Sequence, residues 1–322
     1  MASVRNGDLF LWGLDHDSFP WWGLTQPHAF AAAMSLMELK KKFWRNTSSG
    51  ECVLSGEGGC FTIELATTRE QIAEAYELLC MKLSAAEVEP LERLVQNAMG
   101  IVLAGRKTGY RLFIARDQQG AVAATYGGSL MGLSGNDAVF IGTYAATHDS
   151  YAGKGLMGQL FISGLIQAAE DAHNLKEELV LIIGDCTPTS EWTWDSVGRK
   201  RVCLVEGDSF REVGFYQPAI KFDLSTGLPA EGMSAIKEHL MVRGLGCEIT
   251  KDLICQSVGA YYRWCGKRTQ DDFPSADAYR KYRDHFDSLL GQFRAEIERG
   301  GDLVLFGAAE RAALVAQGRW IE

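Results

Sequence analysis

The chain has 322 residues, 47% of them hydrophobic and 23% charged, with a formal net charge of −9. That length buries a full core, in two domains or in one with additions. The acidic balance argues against a nucleic-acid surface, which needs a basic footprint. Asp8, Asp15 and Asp17 interrupt any apolar stretch at the N-terminus, so no signal peptide is expected. No apolar run approaches the roughly 20 residues of a membrane span. Eight cysteines without a close Cys-x-x-Cys pair fit reduced thiols in the cytoplasm, not a disulfide framework or a zinc site.

In chain order, residues 1–58 form an aromatic-rich extension with Phe10, Trp12, Phe19, Trp21, Trp22, Phe30, Phe43 and Trp44. A helix is expected from His28 to Trp44, and the stretch from Ser48 to Gly59 reads as a linker or hairpin turn. So many rings need a surface to cover, so this arm is expected to pack on a domain or on a homodimer partner. The sharper alternative makes the tryptophans substrate platforms. Lys40, Lys41, Lys42 and Arg45 read as a solvated helix end.

From Cys60 the periodicity predicts a strand over 60–66, helices over 68–82 and 84–98, and strands over 110–117, 120–132 and 137–147. A glycine loop, a helix over 155–173 and a strand over 178–185 follow, with a hairpin turn at Arg116-Asp117-Gln118-Gln119-Gly120. The long connection 187–206 holds Glu191, Trp192, Trp194 and Asp195, then a basic patch at Arg199-Lys200-Arg201. Connections of that length are commonly functional or mobile. The region 225–322 reads as mostly helical. Ser275 opens a helix carrying Tyr279, Tyr282, Phe286, Leu290, Phe293 and Ile297 at helical spacing, with Gly300-Gly301 as its stop. A short strand over 302–306 and a last helix over 308–317 complete it. The expected division is 1–58, 59–224 and 225–322.

The most informative stretch runs from Thr147 to Gly158 and contains Gly153, Lys154, Gly155, Leu156, Met157 and Gly158. Strand, short glycine loop and helix start make a phosphate site: glycines let the backbone approach, free amides point outward, and the helix dipole favours negative charge. A P-loop needs Lys and Ser/Thr after its second glycine, which this loop lacks. The dinucleotide spacing is met, but the strand is mid-chain and the acidic candidate Asp185 falls too late.

With Tyr151, Gly153, Lys154, Gly155, Leu156 and Leu160, the segment resembles the coenzyme A loop of the GCN5-related N-acetyltransferases, the GNAT family. Ser209 to Tyr216 resembles that family's short helix ending in a hydrophobic-Gly-Phe tripeptide. The resemblance covers roughly residues 60–224. It implies an α/β fold of the α+β type: a mixed, mostly antiparallel sheet flanked by helices, with an aromatic-rich N-terminal arm and a mostly helical C-terminal extension. Ala152 stands where the family usually has Arg or Gln, and Met157 where it has Gly or Ala. Phe210 stands where many members place the Tyr that protonates the leaving thiolate.

The resemblance further implies that pantetheine pairs with the backbone at Ala145, Ala146 and Thr147, while residues 153–158 hold the pyrophosphate. An amine then attacks the thioester directly from the opposite side. Candidates for the general base are Asp185 first, then Tyr144 and His148, with Glu191 or Asp195 behind them; a turn-capping role is the alternative for Asp185. Cys186 could instead accept the acyl group, giving a ping-pong enzyme. No His, Asp and Glu set has metal spacing. The expected function is N-acyl transfer from acyl-coenzyme A, acetyl in the first instance, to a small-molecule amine. An acyl carrier protein as donor, or a non-catalytic acyl-coenzyme A sensor, are the alternatives; neither nucleic acid nor membrane is an expected partner.

Overall fold

A computed structural model describes residues 52–321 apart from 57–58, 85–86, 104–105, 109 and 188–189. The aromatic arm, its expected helix and the Lys40–Lys42 cluster lie outside these residues. Strands β1 (Cys52–Gly56) and β2 (Gly59–Leu65) form a hairpin, followed by helices α1 (Arg69–Lys82) and α2 (Leu91–Met99). Thr68 caps α1 in a capping box with Gln71. The second helix starts at Leu91, not 84, because Pro90 supplies no amide and stands at its cap. The short strands β3 (Ile101–Leu103) and β4 (Arg106–Thr108) pair with each other.

The meander β5 (Tyr110–Arg116), β6 (Val122–Gly132) and β7 (Asp137–Thr147) is antiparallel throughout. Its first turn forms as expected, with the Asp117 carboxylate accepting the amides of Gln119 at 2.9 Å and Ala121 at 2.8 Å. Helix α3 (Leu156–Asn174) then returns the chain to β8 (Glu178–Cys186), parallel to β7. There follow α4 (Glu191–Ser196), β9 (Lys200–Glu206), β10 (Ser209–Glu212), β11 (Phe215–Gln217), β12 (Phe222–Asp223), β13 (Leu228–Pro229) and β14 (Ile236–Gly244). Helices α5 (Lys251–Cys265) and α6 (Ala276–Arg299), strand β15 (Leu303–Phe306), helix α7 (Ala308–Ala316) and strand β16 (Trp320–Ile321) end the chain.

The main sheet runs β1-β2-β5-β6-β7-β8-β14-β9-β10-β16, with β11 on β14 and β15 on β9. It is mixed, mostly antiparallel and flanked by helices, the arrangement that the resemblance implied. One face packs Leu112, Ile114, Ile141 and Ile183 against α1, α2, α5 and α6. The other packs Tyr126, Phe140 and Ile182 against α3 through Leu160, Phe161 and Leu165. Among the described residues no helix is long and apolar enough to cross a membrane.

Three expectations need correction. Residues 209–216 form strands β10 and the start of β11, joined at Val213-Gly214, and not a helix: Gly207, at φ +62°, turns a tight hairpin between β9 and β10. Phe210 therefore pairs with Val205 and Trp320, its ring 5.0 Å from that of Phe306, far from β7 and β8. Second, the boundary expected at residue 225 does not divide two cores. Strand β14, from the C-terminal region, inserts between β8 and β9. Third, the connection 187–206 is largely α4 and β9, and its basic patch is no surface patch. Arg199 and Arg201 are buried while Lys200 pairs outside with Glu310 at 3.2 Å.

Candidate active site

Strands β7 and β8 pair from Asp137/Glu178 to Ile141/Ile183 and no further, although both continue. The cause lies in β7, where Gly142 faces Gly128 and Tyr144 faces Gly127, leaving Thr143 as an extra residue. Such a bulge bends the strand and sharpens its twist. Past it, Ala145, Ala146 and Thr147 pair with Tyr126, Thr125 and Ala124 of β6, and their β8 side stays open. The two strands thus bound a wedge.

The glycine loop sits at the mouth of this wedge. His148 caps a single 3-10 turn, its Nδ1 accepting the Ser150 amide at 3.3 Å. Tyr151 donates its hydroxyl proton to Asp117 and sets its ring edge-on to Phe61 at 5.6 Å. The Lys154 ammonium lies 5.1 Å from the centroid of the Tyr151 ring. Gly153 and Gly155 take φ of +76° and +71°, which L side chains rarely adopt. Gly155 is the cap of α3 and, having no side chain, makes no capping hydrogen bond to that helix end. The amides of Leu156, Met157 and Gly158 therefore lack intrahelical partners. A Cβ at Gly153 or Gly158 would meet nothing within 4 Å. An open concavity lined by amides and a positive helix end suits a pyrophosphate.

At the apex of the wedge stands Arg199. A Cβ on Gly142 would lie 2.7 Å from its Nη2, and one on Gly184 2.6 Å from its Nη1, so the guanidinium covers both glycines just past the last paired rung. It is 1% exposed, lies 4.5 Å from the Trp194 ring and 5.1 Å from the Phe161 ring, and donates to the Tyr126 hydroxyl at 2.9 Å. Its Nε has no hydrogen-bond partner, and no carboxylate among the described residues pairs with it.

On the opposite face of the sheet Asp185 is partly buried and accepts the hydroxyl proton of Tyr261, from α5, at 3.2 Å. Burial lifts its carboxyl to about 6. Tyr144 shares that face, and its hydroxyl accepts the Glu89 amide at 3.1 Å. Burial holds its phenol well above the usual range. Lys267 closes the floor, 2.7 Å from Glu89 and 4.7 Å from the Trp264 ring, which stacks on Tyr110 at 6.1 Å.

Asp185 and Tyr144 are thus brought to one face across the wedge. His148 is not, being roughly 15 Å further along the strand direction. Cys186 faces the other core, away from Asp185, and burial pushes its thiol up to about 12. Glu191 pairs with Arg201 at 2.6 Å and Arg311 at 3.0 Å, locked on that same other side. Sequence reasoning missed Arg199, Tyr126, Tyr261 and Glu238. The signal for Arg199 was Gly142 and Gly184, two glycines inside strands that only a close neighbour explains. Among the described residues no group of three His, Cys, Asp or Glu side chains is placed to hold a metal ion.

No family model matches the chain, and no curated protein does. Among solved structures, an acetyltransferase of the GNAT family from Staphylococcus aureus Mu50 is similar at 13% identity and a TM-score of 0.34, over 57% of this chain and 99% of that one. The ribosomal-protein-S18-alanine N-acetyltransferase from Escherichia coli is similar at 13% and 0.34, over 59% and 96%. A chain of the NatC complex bound to Gag peptide and CoA is similar at 10% and 0.35, over 57% and 98%.

Proposed function

We propose that this protein is an N-acyltransferase that moves an acyl group, acetyl in the first instance, from acyl-coenzyme A to a small-molecule amine in a ternary complex. Support comes from the wedge between β7 and β8, which has an uncapped helix end at its mouth, a cation at its apex and a carboxylate across the sheet. In this mechanism the amides of residues 153–158 hold the pyrophosphate, and the open edge at Ala145, Ala146 and Thr147 pairs with pantetheine. The amine sits on the face of Asp185. Its nitrogen attacks the thioester carbon and gives a proton to Asp185, directly or through water. The C–N bond forms as the C–S bond breaks, and sulfur leaves with the bonding pair as a thiolate, near the Arg199 guanidinium. Positioning accounts for roughly 7–11 kcal/mol of such a barrier, and a base adds about 10²–10⁴-fold.

Calorimetric titration with coenzyme A, then turnover of acetyl-coenzyme A with a panel of amines, tests the proposal. Binding together with thiol release supports it. Binding without release for any amine describes an acyl-coenzyme A sensor. Absence of binding removes coenzyme A as donor and leaves carrier-bound pantetheine.

A further inference from the structure

Building on acyl transfer at this face, we infer that the acceptor is a short diamine or polyamine, with its second ammonium held by Glu238. Glu238 is only 8% exposed, its Oε2 is buried without a hydrogen-bond partner, and no cation among the described residues pairs with it. A carboxylate enclosed in this way is costly unless it takes up a proton or something positive arrives. Its direction follows from register. Leu240 is directly opposite Asp185 across β8 and β14, and Glu238 lies two residues along β14, on the same face as Asp185. Phe215 stands opposite Glu238, its ring 5.3 Å from Tyr261 and stacked on Tyr262 at 6.0 Å. The carboxylate therefore lies on the Asp185 face, beside Phe215 and the Tyr261 and Tyr262 rings packed on it.

The charged groups that act on Glu238 are of one sign. Glu87, from the α1–α2 connection, joins Asp185 and Glu212 in raising the Glu238 carboxyl, to about 7, with burial the larger cause. The nearby cations are committed. Lys267 is held by Glu89, Arg201 by Glu191 and Glu212, and Arg199 lies on the far face. A monoamine at Asp185 would leave Glu238 unanswered. A diagonal pair on neighbouring strands is about 7–8 Å apart, a span bridged by about three to five methylenes. With one ammonium on Glu238, the other nitrogen, already unprotonated, reaches Asp185, attacks the thioester and gives one proton to that carboxylate.

Calorimetry on the intact protein, alone and with coenzyme A, compares putrescine with butylamine. Putrescine is expected to bind at least about tenfold more tightly, about 1.4 kcal/mol, and Glu238→Gln to remove that advantage over butylamine. Equal affinity for the two amines, with diaminopropane and cadaverine no better, overturns the inference, as does a folded Glu238→Gln protein that still prefers putrescine. If that variant does not fold, the wild-type comparison decides alone. The coenzyme A titration separates the two ideas. Coenzyme A binding without a diamine preference sinks only the acceptor assignment, whereas a diamine preference without coenzyme A binding removes only coenzyme A as the donor.

Discussion

A guanidinium enclosed by Trp194, Phe161 and Tyr126, with Nε unpaired and no ion pair to a carboxylate among the described residues, loses more hydration than two ring contacts return. Arg199→Met is accordingly expected to keep or raise the melting temperature while lowering kcat/KM for acetyl-coenzyme A at least about tenfold. A lowered melting temperature with kcat/KM intact would make Arg199 a structural wedge. Asp185 carries a pH signature. Its folded pKa, about 6, lies above its unfolded value, so its stabilising contribution is complete below about pH 4 and is lost as pH rises through 6. Melting curves of Asp185→Asn should therefore gain on wild type between about pH 4 and 7. The acid limb of kcat/KM, with a midpoint near 6, should vanish in the same variant, because the base must be ionised to work. Asp185 was legible in the sequence as the polar end of an apolar run. Arg199 and Glu238 were not, since charge in Arg199-Lys200-Arg201 or Lys237-Glu238-His239 reads as surface until strand pairing turns alternate residues inward.

At the level of elements, the loop and α3 act together. Gly155, at φ +71°, ends the loop and aims the first amides of α3 outward. Gly155→Leu forces a side chain into a left-handed conformation, about 1–2 kcal/mol of strain, and crowds the anion cradle. Coenzyme A affinity is expected to fall more than about tenfold while circular dichroism stays native. Unchanged affinity by calorimetry would exclude this loop as the pyrophosphate site. From β5 to β8 the elements were legible to within a residue or two, since long runs with clear periodicity leave little room for a rival register. Strand β14 was hidden because Lys237, Glu238, His239 and Arg243 interrupt its apolar positions, and its place is fixed by partners far away in sequence. The β9–β10 hairpin was mistaken because Val213-Gly214-Phe215 matched a helix ending, while Gly207 carried the turn.

For the whole molecule, the region after residue 225 completes both the sheet and the acceptor face. Helix α5 supplies Tyr261 and Trp264, and the chain just beyond it supplies Lys267. A protein ending at Gly244 would bare the apolar surface that Ile254, Val258, Tyr261 and Trp264 cover, so it is expected to bind a hydrophobic dye and to lose cooperative melting. A soluble, cooperatively melting fragment would show instead that α5 and α6 merely dock. The place of β14 also bears on how the chain is made. Strands β8 and β9 leave the ribosome first, yet they become neighbours of β14 on its two sides. At about 5–20 residues per second, roughly 2–8 seconds separate the end of β9 from that of β14. During that interval the nascent chain holds a vacant lane through the middle of its sheet, and premature zipping of β8 onto β9 is the error that its translation must outrun.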